Sequence, residues 1–291
     1  MAEDMPVISG ESMGTIIGNL LVAMIGACLL GIIVFLSGNR FYAEPFSEAV
    51  GGFYAALANA ILFVVLATVG ALLVILLLKY GRENLLRYIL IGAFVFIGIV
   101  VVAYFGYMFL IVMELDALLA IVILFAFVST ASLAFIMVEP ENRMKNAGLL
   151  IFGSGIGAFL GVVLPVWTSI LLLIALSIYD YVSVKRGPIR KIVELTEESP
   201  EKLGALAVST AEWDIGLGDV AFYCMMTVLA VVNFGFLPTL FTVIGVVAGF
   251  RITMRLLEKR GLMPGLPVPV SLGLLGLLIG FLIRLFFPFI P

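Results

Sequence analysis

Nine stretches of this chain run for eighteen residues or more with scarcely a charge in them: about 13–36, 53–78, 88–112, 118–138, 147–164, 166–184, 219–236, 237–254 and 266–286. A helix needs about twenty apolar residues to cross a bilayer, and hydrocarbon offers no partner to a backbone group that the helix leaves unpaired. With 63% hydrophobic and 12% charged residues and a mean hydropathy of +1.26, no soluble core could absorb this apolar surface. The expected fold is therefore an all-α polytopic membrane protein with nine transmembrane helices. The seventh and eighth are short and joined by a tight turn at 235–238, and no internal repeat is evident.

Basic residues orient the bundle. If the N-terminus is cytoplasmic, the loops on that side hold Lys79, Arg82 and Arg87; Arg143 and Lys145; Lys185, Arg186, Arg190, Lys191 and Lys202; and Arg251, Arg255, Lys259 and Arg260. Of the 16 basic residues only Arg40, in the first outer loop, and Arg284, near the outer end of the last span, fall elsewhere. A long side chain at the position of Arg284 can snorkel to the interface. Eight spans would scatter these charges, so the bias predicts a cytoplasmic N-terminus and an external C-terminus. The first dozen residues carry Glu3, Asp4 and Glu11 without a Lys or Arg, unlike the basic start of a signal peptide, so the first span is expected to be retained.

Much chemistry is excluded at once. The chain has no histidine, which removes Ser–His and Cys–His catalysis and the helical zinc-binding motif. Cys28 and Cys224 lie in apolar runs without metal-ligand neighbours and read as small buried hydrophobes, able to pair only if their helices touch. Glycines recur every four residues at 153, 157 and 161 and again at 245 and 249, a pattern that lets helices approach closely. Ser154 sits between two glycines, but nothing nearby can activate it as a nucleophile.

One long polar connection, 185–212, interrupts the spans. Gly187-Pro188 suits a first helical turn, and Ile189, Ile192 and Val193 then share a face, predicting an interfacial amphipathic helix that ends near Glu197, Glu198, Pro200 and Glu201. Residues 203–208 are small, apolar and without period, and are expected to be extended. The chain thus divides into 1–186, a six-helix part; 187–214, the cytoplasmic loop; and 215–291, a three-helix part, within one membrane domain.

Two carboxylates stand inside apolar runs, Asp180 after Tyr179 and Asp219 after Gly216-Leu217-Gly218. Each is five residues from a charged boundary on the same side, hence about 7–8 Å deep on consecutive spans. Pro264, Pro267 and Pro269 crowd the start of the last span at that side, where they forbid a regular helical start and leave backbone groups unpaired. Two carboxyl groups within hydrogen-bonding range cannot both ionise cheaply and share a proton, which is the machinery of aspartic proteolysis. Either acid alone reads equally well as an interfacial or helix-capping group. Gly216 and Gly218 would let the seventh helix start close against the sixth, and Tyr179 either lines the site or packs.

Tyr179-Asp180, Gly216-Leu217-Gly218-Asp219 and Pro264-Gly265-Leu266-Pro267, in this order in spans six, seven and nine, resemble the motifs of the presenilin/signal-peptide-peptidase family of intramembrane aspartyl proteases. The likeness covers about 165–291. Gly187-Pro188-Ile189-Arg190, Val193-Glu194 and Pro267 are nearer to presenilin than to signal peptide peptidase. The family's Pro-Ala-Leu reads Pro-Gly-Leu here. The resemblance implies Asp180 and Asp219 as the catalytic pair, with the other motif residues in support. It also implies no metal or other cofactor, and membrane-protein transmembrane segments within the bilayer as substrates. Neither a nucleic-acid partner nor an obligatory protein cofactor is implied, and the setting would be a prokaryotic cell membrane. An unwound substrate would pair as a strand with 203–208 or with the backbone of 264–268. On physics alone, a cation- or proton-coupled transporter or channel using the same two carboxylates competes with this reading.

Overall fold

The computed structural model describes residues 10–115, 118–138, 143–186, 207–209, 214–260 and 263–286. Among them are nine helices: α1 Gly10–Ser37, α2 Glu48–Lys79, α3 Glu83–Met113, α4 Leu119–Val138, α5 Arg143–Val163, α6 Val166–Arg186, α7 Leu217–Phe234, α8 Phe236–Arg260 and α9 Pro267–Phe286. Each coincides with one of the nine apolar runs. Seven are long and apolar enough to cross a membrane; α4 and α5 contain shorter apolar stretches, Ile121–Ala131 and Ala147–Val163. The predicted amphipathic helix of the long connection lies outside the described residues.

Glycine and proline set the helix boundaries. Gly52 (φ +54°) breaks α2 one residue before the predicted span, and Pro165 separates α5 from α6. Gly235 (φ +87°) alone links α7 to α8, its N–H donating to Ala230 O at 3.1 Å. α8 runs to Arg260, past the predicted end at 254.

Several serine and threonine hydroxyls inside the bundle donate to their own helices. Thr227 donates to Tyr223 O (3.0 Å) and Cys224 O (2.8 Å), Thr242 to Pro238 O (2.8 Å), and Thr253 to Gly249 O (3.0 Å). Ser154, set aside above as a nucleophile, likewise donates to Ile151 O (2.8 Å). In hydrocarbon this back-bonding to the preceding turn is the nearest available partner.

α7 is the axis of the bundle. Twelve of its residues are buried, among them Tyr223, Met225, Met226 and Leu229. Its tightest neighbour is α5, through the predicted glycine face: a Cβ on Gly157 would run into Ala221 O, and one on Gly161 would lie 2.9 Å from Val228 Cβ. The second glycine pattern is also a helix seam. Gly245 and Gly249 of α8 meet Leu272–Gly273 and Pro269 of α9, which answers with Gly276 and Gly280 against Phe241 and Pro238. Cys28 of α1 and Cys224 of α7 are free thiols on touching helices.

The connection between α1 and α2 is pinned by polar bonds. Buried Asn59 accepts from Phe46 N (2.9 Å) and donates to Phe46 O (2.8 Å) and Thr168 Oγ1 (3.1 Å). Glu48 accepts the Thr168 N–H at 2.6 Å, capping the start of α6. Arg284 donates to Phe234 O at the end of α7.

Within the long connection, Ala207–Ser209 (β1) pairs antiparallel with Asp214–Gly216 (β2), with Val208 opposite Ile215. The extended conformation expected over 203–208 is therefore present at 207 and 208, while 203–206 lie outside the described residues. Its intramolecular partner, β2, was not foreseen.

Candidate active site

Asp180 lies near the C-terminal end of α6 and Asp219 in the first turn of α7, where the helix dipole favours a carboxylate. The two helices touch, both acids are half-buried, and the carboxylates are within electrostatic range of each other. What joins them is the non-helical segment Pro264–Leu266. The Leu266 N–H donates to Asp180 Oδ2 at 2.9 Å. Hydrogen bonds from backbone N–H to an ionised acceptor are among the stronger kind.

Asp219 approaches the same loop from its other flank. A Cβ added to Gly265 would overlap the Asp219 carboxylate, Oδ2 first, with Oδ1 at 3.1 Å. The glycine in place of the family's alanine is thus the residue against which one acid rests. Pro264 and Leu266 are buried on either side. Pro267 opens α9, and the Leu266 carbonyl accepts the Val270 N–H at 3.0 Å. Pro267 and Pro269 occupy the first turn, whose N–H groups have no helical partner to lose.

The unpaired backbone expected at this loop has found partners. The Gly265 carbonyl accepts the Tyr223 hydroxyl at 2.8 Å. Tyr223 is fully buried on α7, one turn beyond Asp219, with its ring edge-on to Phe250. The sequence reading missed it, although its signal was present: a residue four positions after an acid shares that acid's helix face.

One expectation needs revision. Gly216 and Gly218 do not admit a close approach of α7 to α6: a Cβ would meet only Asp219 Oδ2 at 3.6 Å and Phe222 Cε2 at 3.9 Å respectively, ordinary contacts. The close approach is on the α5 flank, where Leu217 is buried and its Cδ1 would lie 3.0 Å from a Cβ on Gly153. Gly216 serves instead as the extended N-cap of α7. Tyr179 is half-buried beside Asp180, and its buried hydroxyl has no hydrogen-bond partner among the described residues.

A groove of about 260 Å³ opens between α6 and α9 next to Asp180, lined by Ser177, Ile178, Tyr181, Pro267, Val270 and Ser271 among others.

The presenilin family profile matches residues 42–214, more than half of the chain. Presenilin-B of Dictyostelium discoideum is 34% identical over 122 residues, covering 38% of this chain and 25% of its own length. A presenilin-like protein of Arabidopsis thaliana is 28% identical over 179 residues, covering 58% and 38% respectively. The aligned segments thus span well under half of these two relatives. Two solved structures of a presenilin family intramembrane aspartate protease, in C222 and P2 space groups, share the fold with TM-scores of 0.59 and 0.57 at 18% and 22% identity. The match covers 90% of this chain in both cases, and 98% and 96% of those chains. By its profile match and its helical architecture, this chain belongs to the presenilin family.

Proposed function

We propose that the protein is an intramembrane aspartyl protease that hydrolyses peptide bonds within transmembrane segments of membrane-protein substrates. The observation that carries this reading is the convergence of Asp180 and Asp219, from two touching helices, on one short backbone segment. An ionised Asp takes a proton from a water molecule as its oxygen attacks the scissile carbonyl. The other, protonated, donates to that carbonyl oxygen; the resulting gem-diol collapses as the proton passes to the departing amine. The loop and Tyr223 hold the acids in position and do not touch the reacting atoms.

A substrate helix reaches the acids sideways, through the groove between α6 and α9. Its backbone must unwind to be cut, and the groups so freed need partners. At 264–268 the Gly265 carbonyl and the Leu266 N–H are already engaged, which favours a free edge of the β1–β2 hairpin as the strand to which substrate adds. The distribution of basic residues supports a cytoplasmic position for this end of the bundle. The enzyme is further proposed to work in a prokaryotic cell membrane without partner subunits.

The test is cleavage of a single-span peptide by purified protein in liposomes. Asp180→Ala and Asp219→Ala should each abolish turnover, and Val208→Pro should reduce it while the protein still folds. Ion or solute flux that disappears in the aspartate variants, with no cleavage by the parent, would instead establish the transporter.

A further inference from the structure

The end of α7 remote from Asp219, about 21 Å along the axis at Asn233, gathers the two basic residues that the topology leaves outside the cytoplasmic loops. Arg40 donates through Nη1 to Asn233 Oδ1 at 3.0 Å and through Nη2 to Val232 O at 2.6 Å, with its guanidinium 6.0 Å from the Phe35 ring centre. Arg284 reaches the same turn from α9 and donates to Phe234 O. Neither guanidinium forms an ion pair with a described residue. The helix terminus itself offsets only about half a charge, leaving well over one positive charge uncompensated among the described residues.

Beside them is a groove of about 330 Å³, walled by Ile32 and Phe35 of α1, Val231 and Asn233 of α7, Phe236 of α8, and Arg284. Phe35 and Phe236 are more than half exposed. Apolar walls with a cationic rim suit an amphiphile, whereas a free anion would leave the walls uncovered. We infer that this groove binds an anionic phospholipid, its phosphate held by Arg40 and Arg284 and one acyl chain lying against Ile32, Phe35 and Phe236. The site stands whether or not the opposite end is a protease.

Native mass spectrometry of the detergent-purified protein, with phosphatidylglycerol and phosphatidylcholine of identical acyl chains, tests it. Wild-type protein should retain phosphatidylglycerol roughly thirtyfold better, the order expected for two cationic side chains at a headgroup. Arg284→Gln should shrink that preference to about fivefold. Ile32→Trp, which keeps both arginines but fills the groove, should do the same without lowering the melting temperature in phosphatidylcholine, and decides the matter if Arg284→Gln does not fold. Equal retention of the two lipids by wild type, or an undiminished preference in Ile32→Trp, overturns the proposal. So does complete displacement of the lipid by glycerol phosphate, which would indicate a simple anion site.

Discussion

α2 and α7 are both membrane-spanning helices, yet they stand at opposite extremes of burial. α2 is the most apolar of the seven long spans, but only 6% of its most apolar eighteen residues are buried, whereas α7, among the less apolar, is 67% buried. In water that order would be reversed. In lipid an apolar side chain gains little by leaving one hydrocarbon for another, so hydrophobicity does not select the core. Close backbone approach and polar partners do. α7 has both: the glycines of α5 along one flank, and Asp219, Tyr223, Thr227 and Asn233 along its length. The polar anchors of α2 among the described residues, Glu48 and Asn59, both lie toward its start.

Four substitutions probe this contrast. The largest effect should come from Gly157→Leu, which drives a side chain into the backbone of α7 at Ala221; a loss of about 3 kcal/mol or more is expected, read as denaturant unfolding in detergent. Asn59→Ala should cost about 2 kcal/mol by stranding both polar groups of Phe46, and a neutral result would mean that this side chain does not anchor α2. Tyr223→Phe leaves the Gly265 carbonyl without its donor. It should lower stability by about 1 kcal/mol while reducing peptide cleavage several-fold more than so small a destabilisation explains. Leu66→Ala, on the exposed face of α2, should change stability by less than about 0.5 kcal/mol. A value near that of a core truncation would reveal a helix packed over α2 in the membrane.

What could be read without coordinates follows the same division. Span positions were legible because lipid imposes a length and a composition on every crossing segment, and the glycine faces were legible because a four-residue period has few other uses. Which helix meets such a face is not encoded locally, so Gly216 and Gly218 were assigned a closeness that belongs to Gly153, Gly157 and Gly161. The two acids and the proline-rich segment were visible as violations of apolar patterning. Tyr223 violates nothing: a tyrosine among Val220, Phe222, Cys224 and Met225 looks like packing until the Gly265 carbonyl is seen opposite its hydroxyl. Likewise 203–208, small, apolar and without period, suggested extension, but its partner at 214–216 includes a charged residue and a glycine, and neither advertises a strand.

The junction at Gly216 joins the hairpin to the helix without slack. That glycine is the last paired residue of β2 and also the cap of α7, and Asp219 follows three positions later, about 4.5 Å along the axis. Strand and carboxylate therefore move as a single lever. Whatever tugs, tilts or stiffens the one resets the aim of the other, and a chain laid along the hairpin is measured from a fixed origin.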